Sequence, residues 1–327
     1  MACVRRLNEL KTTKQKNPMK QDIFDQVKET ILKGIEKDGL QWFKPWKSAN
    51  GGGDWRPINR ATGRAYNGVN IWLLSAAMRE FGYEHNEWLT FKNVTDMKGR
   101  VNKGEKATDI YFWNIGYWNP TTKKTYTSHA AAVAAGENPD DIKQYFSLKL
   151  YKVFNIAQCE GIEPRNKNTE PVPAEEFNPV AEAERIIAEW VTKPVVKHGG
   201  NSAYYSPQHD YVQMPKGEQF VDADSYYKTL FHELVHSTGH ETRLKRKGVV
   251  DFDRFGSEQY AMEELVAESG SMMLSGIAGL NPKDGEVNSV AYIKNWCKTI
   301  RETPSKAIMS AMTQSSKAVE LIVGEAK

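Results

Sequence analysis

The 327-residue sequence has few cysteines and no long apolar run. Its three cysteines, Cys3, Cys159 and Cys297, are far apart and form no Cys-x-x-Cys pair, which argues for a reducing compartment and against both a disulfide framework and a cysteine-built zinc site. No apolar run approaches the roughly 18 residues that a membrane span needs. The basic N-terminus, residues 1–20, lacks the apolar core of a signal peptide. We therefore expect a cytoplasmic protein, without a membrane partner, that begins with a flexible cationic tail.

Charge and tryptophan are distributed unevenly along the chain, although the net charge is only +3. Residues 1–160 carry 25 Lys and Arg against 17 Asp and Glu, whereas residues 161–327 carry 19 against 24. Seven of the nine tryptophans also lie in the first 160 residues. A basic, tryptophan-rich half followed by an acidic half indicates two domains with different partners.

Apolar spacing and turn-forming residues predict an α+β protein of two domains. Residues 161–178 are rich in proline and charge, as is typical of a linker, and would separate a domain at 21–160 from a domain at 179–327. In the first domain we predict helices at 22–37 and 69–82 and strands at 109–118 and 145–156. In the second we predict a strand or hairpin at 203–215 and helices at 178–190, 225–238, 257–275 and 305–323.

The stretch TLFHELVHSTGHETRL, residues 229–244, contains the pattern His-Glu-x-x-His. On a helix His232 and His236 are four residues apart, so their imidazoles project from one face. Glu233 lies beside them, where a carboxylate can take a proton from water. Catalytic zinc usually has three protein ligands. The pattern therefore predicts a catalytic metal site that needs one more ligand from elsewhere in the chain.

Residues that commonly cap helices mark the ends of this predicted helix. Asp224 and Ser225 are candidates for the N-cap, and Gly239 is a candidate for the residue just beyond the C-terminus. Metzincins also carry a glycine three residues after the second histidine, but their third histidine follows three residues later. Thr242 occupies that position here, and the spacing therefore excludes a metzincin.

The third ligand has four candidates. His240 is the nearest, but it directly follows the glycine that ends the helix. The others lie on a second predicted helix, YAMEELVAESGSMML at 260–274, where Glu264 and Glu268 share a face and Glu263 is adjacent. Gluzincins such as thermolysin place the ligand Glu four residues before a supporting acid. We therefore favour Glu264 as the ligand and Glu268 as the hydrogen-bond partner of a ligating histidine, with His240, Glu263 and Glu268 as alternative ligands.

A site of this kind performs metal-assisted hydrolysis. The ligand types favour Zn²⁺, although another divalent transition metal also fits them. Glu233 is the expected general base, which then passes the proton to the leaving amine. The strand at 210–215 is a candidate edge strand for pairing with an extended peptide. Tyr204 and Tyr205 are candidates for stabilising the oxyanion, although packing is the commoner role of such residues.

Aromatic and cationic residues alternate in the first half, in LQWFKPWK (40–47) and RPINRATGRAYNGVN (56–70). A lysine-rich turn, RVNKGEKA (100–107), adds further positive charge. Aromatic rings with cationic neighbours suit single-stranded nucleic acid, because bases stack on the rings and phosphates require countercharge. Tryptophans are more often core residues, so this pattern alone leaves nucleic-acid binding open.

Several motifs together give the chain a strong resemblance to ArdC-type antirestriction proteins of conjugative plasmids and phages. The first half resembles their single-stranded-DNA-binding domain through WFKPW (42–46), RPINRATGRAYNGVN (56–70), EWLTFKNVTDMKGRVNKGEKA (87–107) and VFNIAQCEGI (153–162). The second half resembles their zincin domain through AYYSPQHDYVQMP, TLFHELVHSTGHETRL and YAMEELVAE. The likeness runs from about residue 20 to the C-terminus. The basic tail, Gly51–Gly53 and residues 123–142 depart from it.

The resemblance implies a mixed α/β domain that binds single-stranded DNA and a zincin-like, gluzincin-type metallopeptidase domain. It implies that the protein protects invading plasmid or phage DNA from restriction, and that its metallopeptidase fold is akin to that of enzymes that cut DNA-bound proteins. It also implies that His232, His236 and Glu264 bind the metal and that Glu233 is the catalytic acid and base. The residues that we single out for DNA contact are Trp42, Lys44, Trp46, Arg64, Tyr66 and Lys103.

Two other functions remain open from the sequence. In one, the protein protects DNA by binding it, and the metal is structural or vestigial. In the other, it is a sequence-specific RNA-binding regulator. A retained metal motif shows that hydrolysis is chemically possible, but it does not show that the protein uses it.

Overall fold

The structure, a computed structural model, describes residues 23–38, 55–165, 178–251, 258–280 and 290–324. These residues form an α+β protein, which confirms the predicted fold class. The predicted tail at 1–20, the residues Trp42, Lys44 and Trp46, and positions 166–177 of the predicted linker lie outside the described residues. Among the described helices, none combines the length and the apolar character of a membrane span.

The N-terminal half is built around a five-stranded sheet. Its helices are α1 (Ile23–Asp38), α2 (Val69–Phe81), α3 (Phe91–Asp96) and α4 (His129–Ala134). Its strands are β1 (Ile58–Asn59), β2 (Glu87–Thr90), β3 (Arg100–Val101), β4 (Thr108–Trp118), β5 (Thr125–Tyr126), β6 (Lys143–Asn155) and β7 (Cys159–Glu160). The sheet order is β1-β2-β6-β4-β5, and β3 pairs with β7 separately. Apart from the parallel β1–β2 pair, the neighbours are antiparallel.

Among the described strands, the longest pairing joins β4 to β6. It runs without interruption from Thr108 opposite Val153 to Trp118 opposite Lys143. Helix α2 fixes one end of it, because the buried Asn70 side chain accepts from the backbone N–H of Tyr111 at 2.8 Å and donates to its carbonyl at 2.7 Å. Both strands are rich in aromatic and β-branched residues, which favour a pleated conformation.

The C-terminal half is mainly helical. Its helices are α5 (Pro179–Glu189), α6 (Ala223–Ser237), α7 (Lys247–Val250), α8 (Glu258–Ala278), α9 (Val290–Glu302) and α10 (Ser305–Val323). A three-stranded sheet of order β8-β10-β9 precedes α6 and contains β8 (Val195–His198), β9 (Tyr204–Ser206) and β10 (Tyr211–Met214). The hairpin between β9 and β10 lies within the predicted 203–215 segment.

The prediction that 210–215 forms an edge strand is wrong. Strand β10 lies in the middle of its sheet, parallel to β8 on one side and antiparallel to β9 on the other. Among the strands that the structure describes, the edge strand of this hairpin is instead β9. The sequence pattern marked a hairpin but did not show that β8, from a separate segment, would pair with the outer side of β10.

One hydrophobic core extends across both halves of the chain. It includes Val27 and Ile31 from α1 and Trp72 from α2, together with Leu234 from α6 and Met312 from α10. The indole N–H of Trp72 donates to the Met312 carbonyl at 3.4 Å. The two halves are therefore packed against each other rather than joined only by the segment at 161–178.

Candidate metal centre

Helix α6 carries the His-Glu-x-x-His pattern and begins at a defined cap. Its N-cap is Asp222, whose carboxylate accepts from the backbone N–H of Ser225 at 2.8 Å. The predicted caps, Asp224 and Ser225, are wrong by two and three positions and lie inside the first turn. Acidic residues in the first turn still complement the helix dipole.

Gly239 follows the end of α6 at Thr238 and permits a close approach of the next segment. A Cβ atom at this position would lie 2.5 Å from Cγ2 of Val249 in α7 and 3.0 Å from Nη2 of Arg246. The residue type is therefore dictated by packing between α6 and the segment that leads to α7. The sequence suggested only that the glycine ends the helix.

The structure brings His232, His236 and Glu264 together between α6 and α8. The two Nε2 atoms are 3.1 Å apart, and the Glu264 carboxylate oxygens lie 3.5 Å from Nε2 of His232 and 3.6 Å from Nε2 of His236. Ligands bound tetrahedrally at the usual zinc distances are separated by about 3.4 Å. The three groups therefore fit a divalent ion in both spacing and donor type.

The second ring nitrogen of each histidine faces its own carboxylate. His232 Nδ1 lies 3.2 Å from Glu268, which is also 3.7 Å from the ammonium of Lys228. His236 Nδ1 lies 3.2 Å from Glu263. Such partners hold the proton on Nδ1 and leave the lone pair of Nε2 directed toward an ion. Glu268 thus lies where the sequence placed it, whereas Glu263, considered before only as an alternative ligand, orients the other histidine.

Glu263 is itself held by Arg246. The guanidinium makes two hydrogen bonds to the carboxylate, at 2.6 and 2.9 Å, and both side chains are buried. Arg246 also donates to Thr238 at 2.5 Å and to the Val235 carbonyl at 2.8 Å, which ties it to the end of α6. This network of charge-assisted bonds fixes the His236 ring from behind. Arg246 was not predicted from the sequence, because it lies ten residues beyond His236 in an irregular segment.

The cluster changes the pKa values of its members. Burial lowers the pKa of His232, but hydrogen bonds to Glu264 and Glu268 and the negative charges of Glu268 and Glu233 outweigh it and raise the pKa to about 10. Burial raises the pKa of Glu263, but the hydrogen bond from Arg246 leaves it below its usual value. The pKa of Glu264 is likewise lowered, because the hydrogen bond to His232 and the two imidazoles outweigh burial. The site thus gathers negative charge around two imidazoles, as a cation-binding site requires.

The centre lies in an open cleft of about 970 Å³. Glu233 lines this cleft although its side chain is largely buried. Edge strand β9 contributes Tyr204 and Tyr205 to the lining of the cleft. The hydroxyl of Tyr205 donates to Asp210 at 2.8 Å and that of Tyr204 lies 3.2 Å from the hydroxyl of Tyr211, so neither hydroxyl is directed at the three candidate ligands.

Tyr260 is a further residue of the cleft that sequence reasoning missed. It lies one turn before Glu264 on α8 and hydrogen bonds to the Glu264 carboxylate. Burial, this hydrogen bond and the charges of Glu264 and Glu233 raise the pKa of Tyr260 to about 12. Its phenol therefore stays protonated and restricts the orientation of Glu264. The i to i+4 spacing was the available signal.

His240 takes no part in the cluster of candidate ligands. Its Nδ1 lies 2.9 Å from the hydroxyl of Thr242, and it lines the cleft beside Glu241. The group of described residues whose donor atoms lie within 4.8 Å of one another contains only His232, His236 and Glu264.

The described candidates for DNA contact lie in different environments. Arg64 and Lys103 are exposed. Tyr66 is buried, and burial raises its pKa. The Tyr66 ring packs against Phe112 of β4, with 6.2 Å between the ring centroids.

Family comparisons agree with this two-part organisation. Residues 21–154 match the family described as the N-terminal domain of anti-restriction factor ArdC, and residues 181–314 match the family described as zincin-like metallopeptidase. The crystal structure of the antirestriction ArdC protein from the R388 plasmid, in its metal-free form, superposes with a TM-score of 0.63 at 28% identity and covers 92% of this chain and 96% of that chain. The chain belongs to the ArdC antirestriction family. The sequence-based resemblance is therefore confirmed.

Two further relatives differ in the share of their own length that the match covers. Protein y4eC of Sinorhizobium fredii is 32% identical over 295 residues, which is 90% of this chain and 89% of y4eC. DNA primase TraC of Escherichia coli is 31% identical over 299 residues, or 90% of this chain, and the match spans about a quarter of TraC (26%). A Mn(II)-bound crystal structure of the R388 ArdC protein matches with a TM-score of 0.62 at 29% identity. The zincin-like domain thus indicates a divalent metal.

Proposed function

We propose that this member of the ArdC family binds single-stranded DNA, carries a metal-dependent peptidase centre and protects incoming DNA by cleaving proteins associated with it. The observation that carries the peptidase part is the convergence of His232, His236 and Glu264 in an open cleft that Glu233 also lines. The match of residues 21–154 to the ArdC N-terminal domain and the basic charge of residues 1–160 support the DNA-binding part.

We assign His232, His236 and Glu264 as the metal ligands, with Zn²⁺ as the ion because two histidines and one glutamate are a usual set for catalytic zinc. The Mn(II)-bound ArdC structure shows that a relative accepts another divalent ion. When bound, a divalent ion acts as a Lewis acid that lowers the pKa of a water and polarises a carbonyl. Glu268 and Glu263 hold the two imidazoles in the ligating orientation.

Glu233 is the proposed general base. It lies next to His232 on α6, lines the cleft and is shielded from bulk water. In this position it takes a proton from the attacking water and then delivers it to the leaving amine. Edge strand β9 suits an extended peptide, which would add to the sheet through backbone hydrogen bonds.

Replacement of Glu233 by Gln tests the peptidase part. The variant keeps the shape of the side chain but loses the base, so we expect hydrolysis of a labelled unfolded protein to fall by at least about 100-fold. Metal content and single-stranded DNA affinity should be unchanged. Glu241→Gln is the matched control, since Glu241 is an exposed carboxylate in the same cleft. Equal hydrolysis by Glu233→Gln and the wild type would exclude the assignment.

The same variant separates proteolysis from DNA coating as the means of protection. Transfer of an unmodified plasmid into a restricting host measures protection directly. Loss of protection in Glu233→Gln is expected if cleavage is required. Full protection by a variant that no longer hydrolyses protein would instead support the alternative, in which DNA binding protects and the metal is structural.

A further inference from the structure

Strands β4 and β6 expose several aromatic side chains on a single face. Phe112 and Tyr151 are each 43% exposed, and Trp118 and Tyr145 are each 36% exposed. The register pairs Ile110 with Tyr151, and residues directly opposite each other in an antiparallel pair lie on one face. Alternate residues along a strand share a face. The four rings therefore lie on the same side of the two-stranded ribbon that β4 and β6 form.

Two lysines lie among these rings. Lys149 is directly opposite Phe112, and Lys143 is directly opposite Trp118. Both are exposed, and neither forms an ion pair with any described residue. Strands β4 and β6 direct no acidic side chain to this face. The face therefore carries positive charge that nothing on the ribbon neutralises.

The opposite face of the same ribbon has a different character. Its lysine, Lys152, forms an ion pair with Asp109 at 2.6 Å. Trp113 packs against Phe24 of α1, with 5.6 Å between ring centroids. Phe146 is exposed on this face but has no lysine opposite it, since its partner is Ile115. Unneutralised charge and exposed rings thus occur together only on the first face of these two strands.

Three of the four rings on the first face, those of Phe112, Tyr145 and Tyr151, are held in place before any ligand binds. The Phe112 ring meets Tyr151 edge-on at 5.6 Å between centroids and also packs against Tyr66. The Tyr145 ring lies across Gly116, where an added Cβ atom would be 2.5 Å from the ring Cε1 and Oη atoms. Fixed rings lose little conformational entropy on binding.

We infer that this surface binds single-stranded DNA. We call it the ribbon face and define it as Phe112, Trp118, Lys143, Tyr145, Lys149 and Tyr151. Unpaired bases stack on the rings and the two lysines contact phosphates. In a duplex the base faces are already stacked, so the exposed rings favour a single strand. This inference rests on the proposed single-stranded DNA binding and assigns it to particular residues.

The inference is tested by measuring the affinity of the protein for a labelled oligodeoxythymidine of about 15 nucleotides. Equilibrium titrations over a range of salt concentrations give this affinity and its salt dependence. Tyr145→Ala and Trp118→Ala should each weaken binding by about tenfold without changing the salt dependence, because they remove stacking. Lys149→Ala should weaken binding and reduce the slope of log affinity against log salt by about 0.7, the value for one phosphate contact on a single strand.

Matched controls lie on the opposite face. Phe146 is adjacent to Tyr145, and Lys152 lies three residues from Lys149. The variants Phe146→Ala and Lys152→Ala should both bind within about twofold of the wild type.

Gly116→Ala is a further test on the ribbon face. It should weaken binding like Tyr145→Ala, because the added methyl group displaces the Tyr145 ring. Circular dichroism and metal content should be the same for all variants, which shows that a loss of binding is not a loss of folding.

The outcomes separate the inference from the function on which it rests. If the wild type binds the strand and all ribbon-face variants bind it equally well, the ribbon face is not the binding surface, but DNA binding itself stands. The same conclusion follows if both control variants lose as much affinity as the ribbon-face variants. Wild-type protein without affinity for the strand would overturn both. Tighter binding of a matched RNA strand would overturn DNA as the ligand, and equal binding of duplex DNA would overturn base stacking.

Discussion

At the scale of single residues, the centre depends on two buried carboxylates that are not themselves the proposed ligands. Glu268 lies against His232 and Glu263 against His236. Each carboxylate fixes an imidazole ring that would otherwise rotate about χ2. It therefore directs the Nε2 lone pair of that ring toward the proposed ion position. Glu263 differs from Glu268 in having a fully buried arginine as its partner, Arg246. Loss of its charge should therefore affect both metal binding and folding.

We predict that Glu263→Gln lowers metal affinity by about 10- to 100-fold, the usual effect of losing such a support. It should also lower the free energy of unfolding by about 3 kcal/mol, because the Arg246 charge remains buried without its counter-charge. Chelator competition measures the first effect and denaturant unfolding of the metal-free protein measures the second. Glu241→Gln, which changes an exposed carboxylate, should alter neither quantity. An unchanged affinity would show that Glu263 does not orient His236.

Metal binding should depend on pH through His232. Its pKa in the metal-free protein is raised to about 10, so the imidazole carries a proton at neutral pH that an ion must displace. We expect the apparent affinity to rise with pH from about 6.5 to about 10, by about tenfold per unit for the one displaced proton. Calorimetry in two buffers of different ionisation enthalpy should detect the released proton. An affinity that stays flat over this range would contradict the raised pKa.

The raised pKa of His232 also makes the stability of the metal-free protein depend on pH. A raised pKa means that the folded state binds this proton more tightly than the unfolded state does. Protonation of His232 therefore stabilises the fold fully below the unfolded value of about 6.5, and this contribution is lost as pH rises through about 10. Glu268→Gln, which removes a cause of the raised pKa, should weaken this dependence.

The sequence predicted one part of the site better than the other for a geometric reason. The spacing of His232 and His236, and that of Glu264 and Glu268, follows from the 3.6-residue period of a helix. Glu263 is about 100° around α8 from Glu264, so periodicity assigns it to another face. Whether that face meets His236 depends on how α6 crosses α8, and Arg246 reaches it from an irregular segment. Neither fact can be read from local spacing.

At the scale of elements, the junction between α6 and α7 determines whether Arg246 reaches Glu263. Gly239 allows Val249 and Arg246 to lie against the end of α6. The fold of this segment therefore supports the centre although it contributes no candidate ligand.

We predict that Gly239→Ala lowers the free energy of unfolding by about 1–3 kcal/mol, the usual effect of overpacking. Because the added methyl group also displaces Arg246, metal affinity should fall. Denaturant unfolding and chelator competition measure the two effects. Gly217→Ala is a matched control, because an added Cβ atom there meets no atom within 4 Å. A neutral Gly239→Ala would show that the α7 segment moves without affecting Arg246.

Elements with strong periodicity were predicted well, and those defined by long-range pairing were not. Helix α10 begins and ends at the predicted residues, Ser305 and Val323, because its apolar residues recur at helical spacing. The central position of β10 depends on pairing with β8, which lies 13 residues earlier beyond a glycine-containing turn. A local pattern marks a strand but does not identify its neighbours.

At the scale of the whole molecule, the two family domains are joined by packing. Helix α1 belongs to the part matched by the ArdC N-terminal domain, yet it packs against α9 and α10. The Lys28 ammonium donates to the carbonyls of Arg301 and Thr303, both at 2.7 Å. The buried Ile31 belongs to the same core cluster as Leu234 of α6. The segment that bears the candidate DNA surface and the segment that bears the candidate metal centre should therefore unfold together.

Ile31→Ala tests this coupling, because it removes a fully buried side chain from the N-terminal contribution to the shared core. We expect the free energy of unfolding to fall by about 2–5 kcal/mol. Loss of metal binding and loss of DNA binding should follow a single transition at the same denaturant concentration, as in one cooperative unit. Val195→Ala, at an exposed position on β8, should leave the transition unchanged. Two separate transitions, with metal binding retained after DNA binding is lost, would instead show that the halves fold independently and that the shared core contributes little to cooperativity.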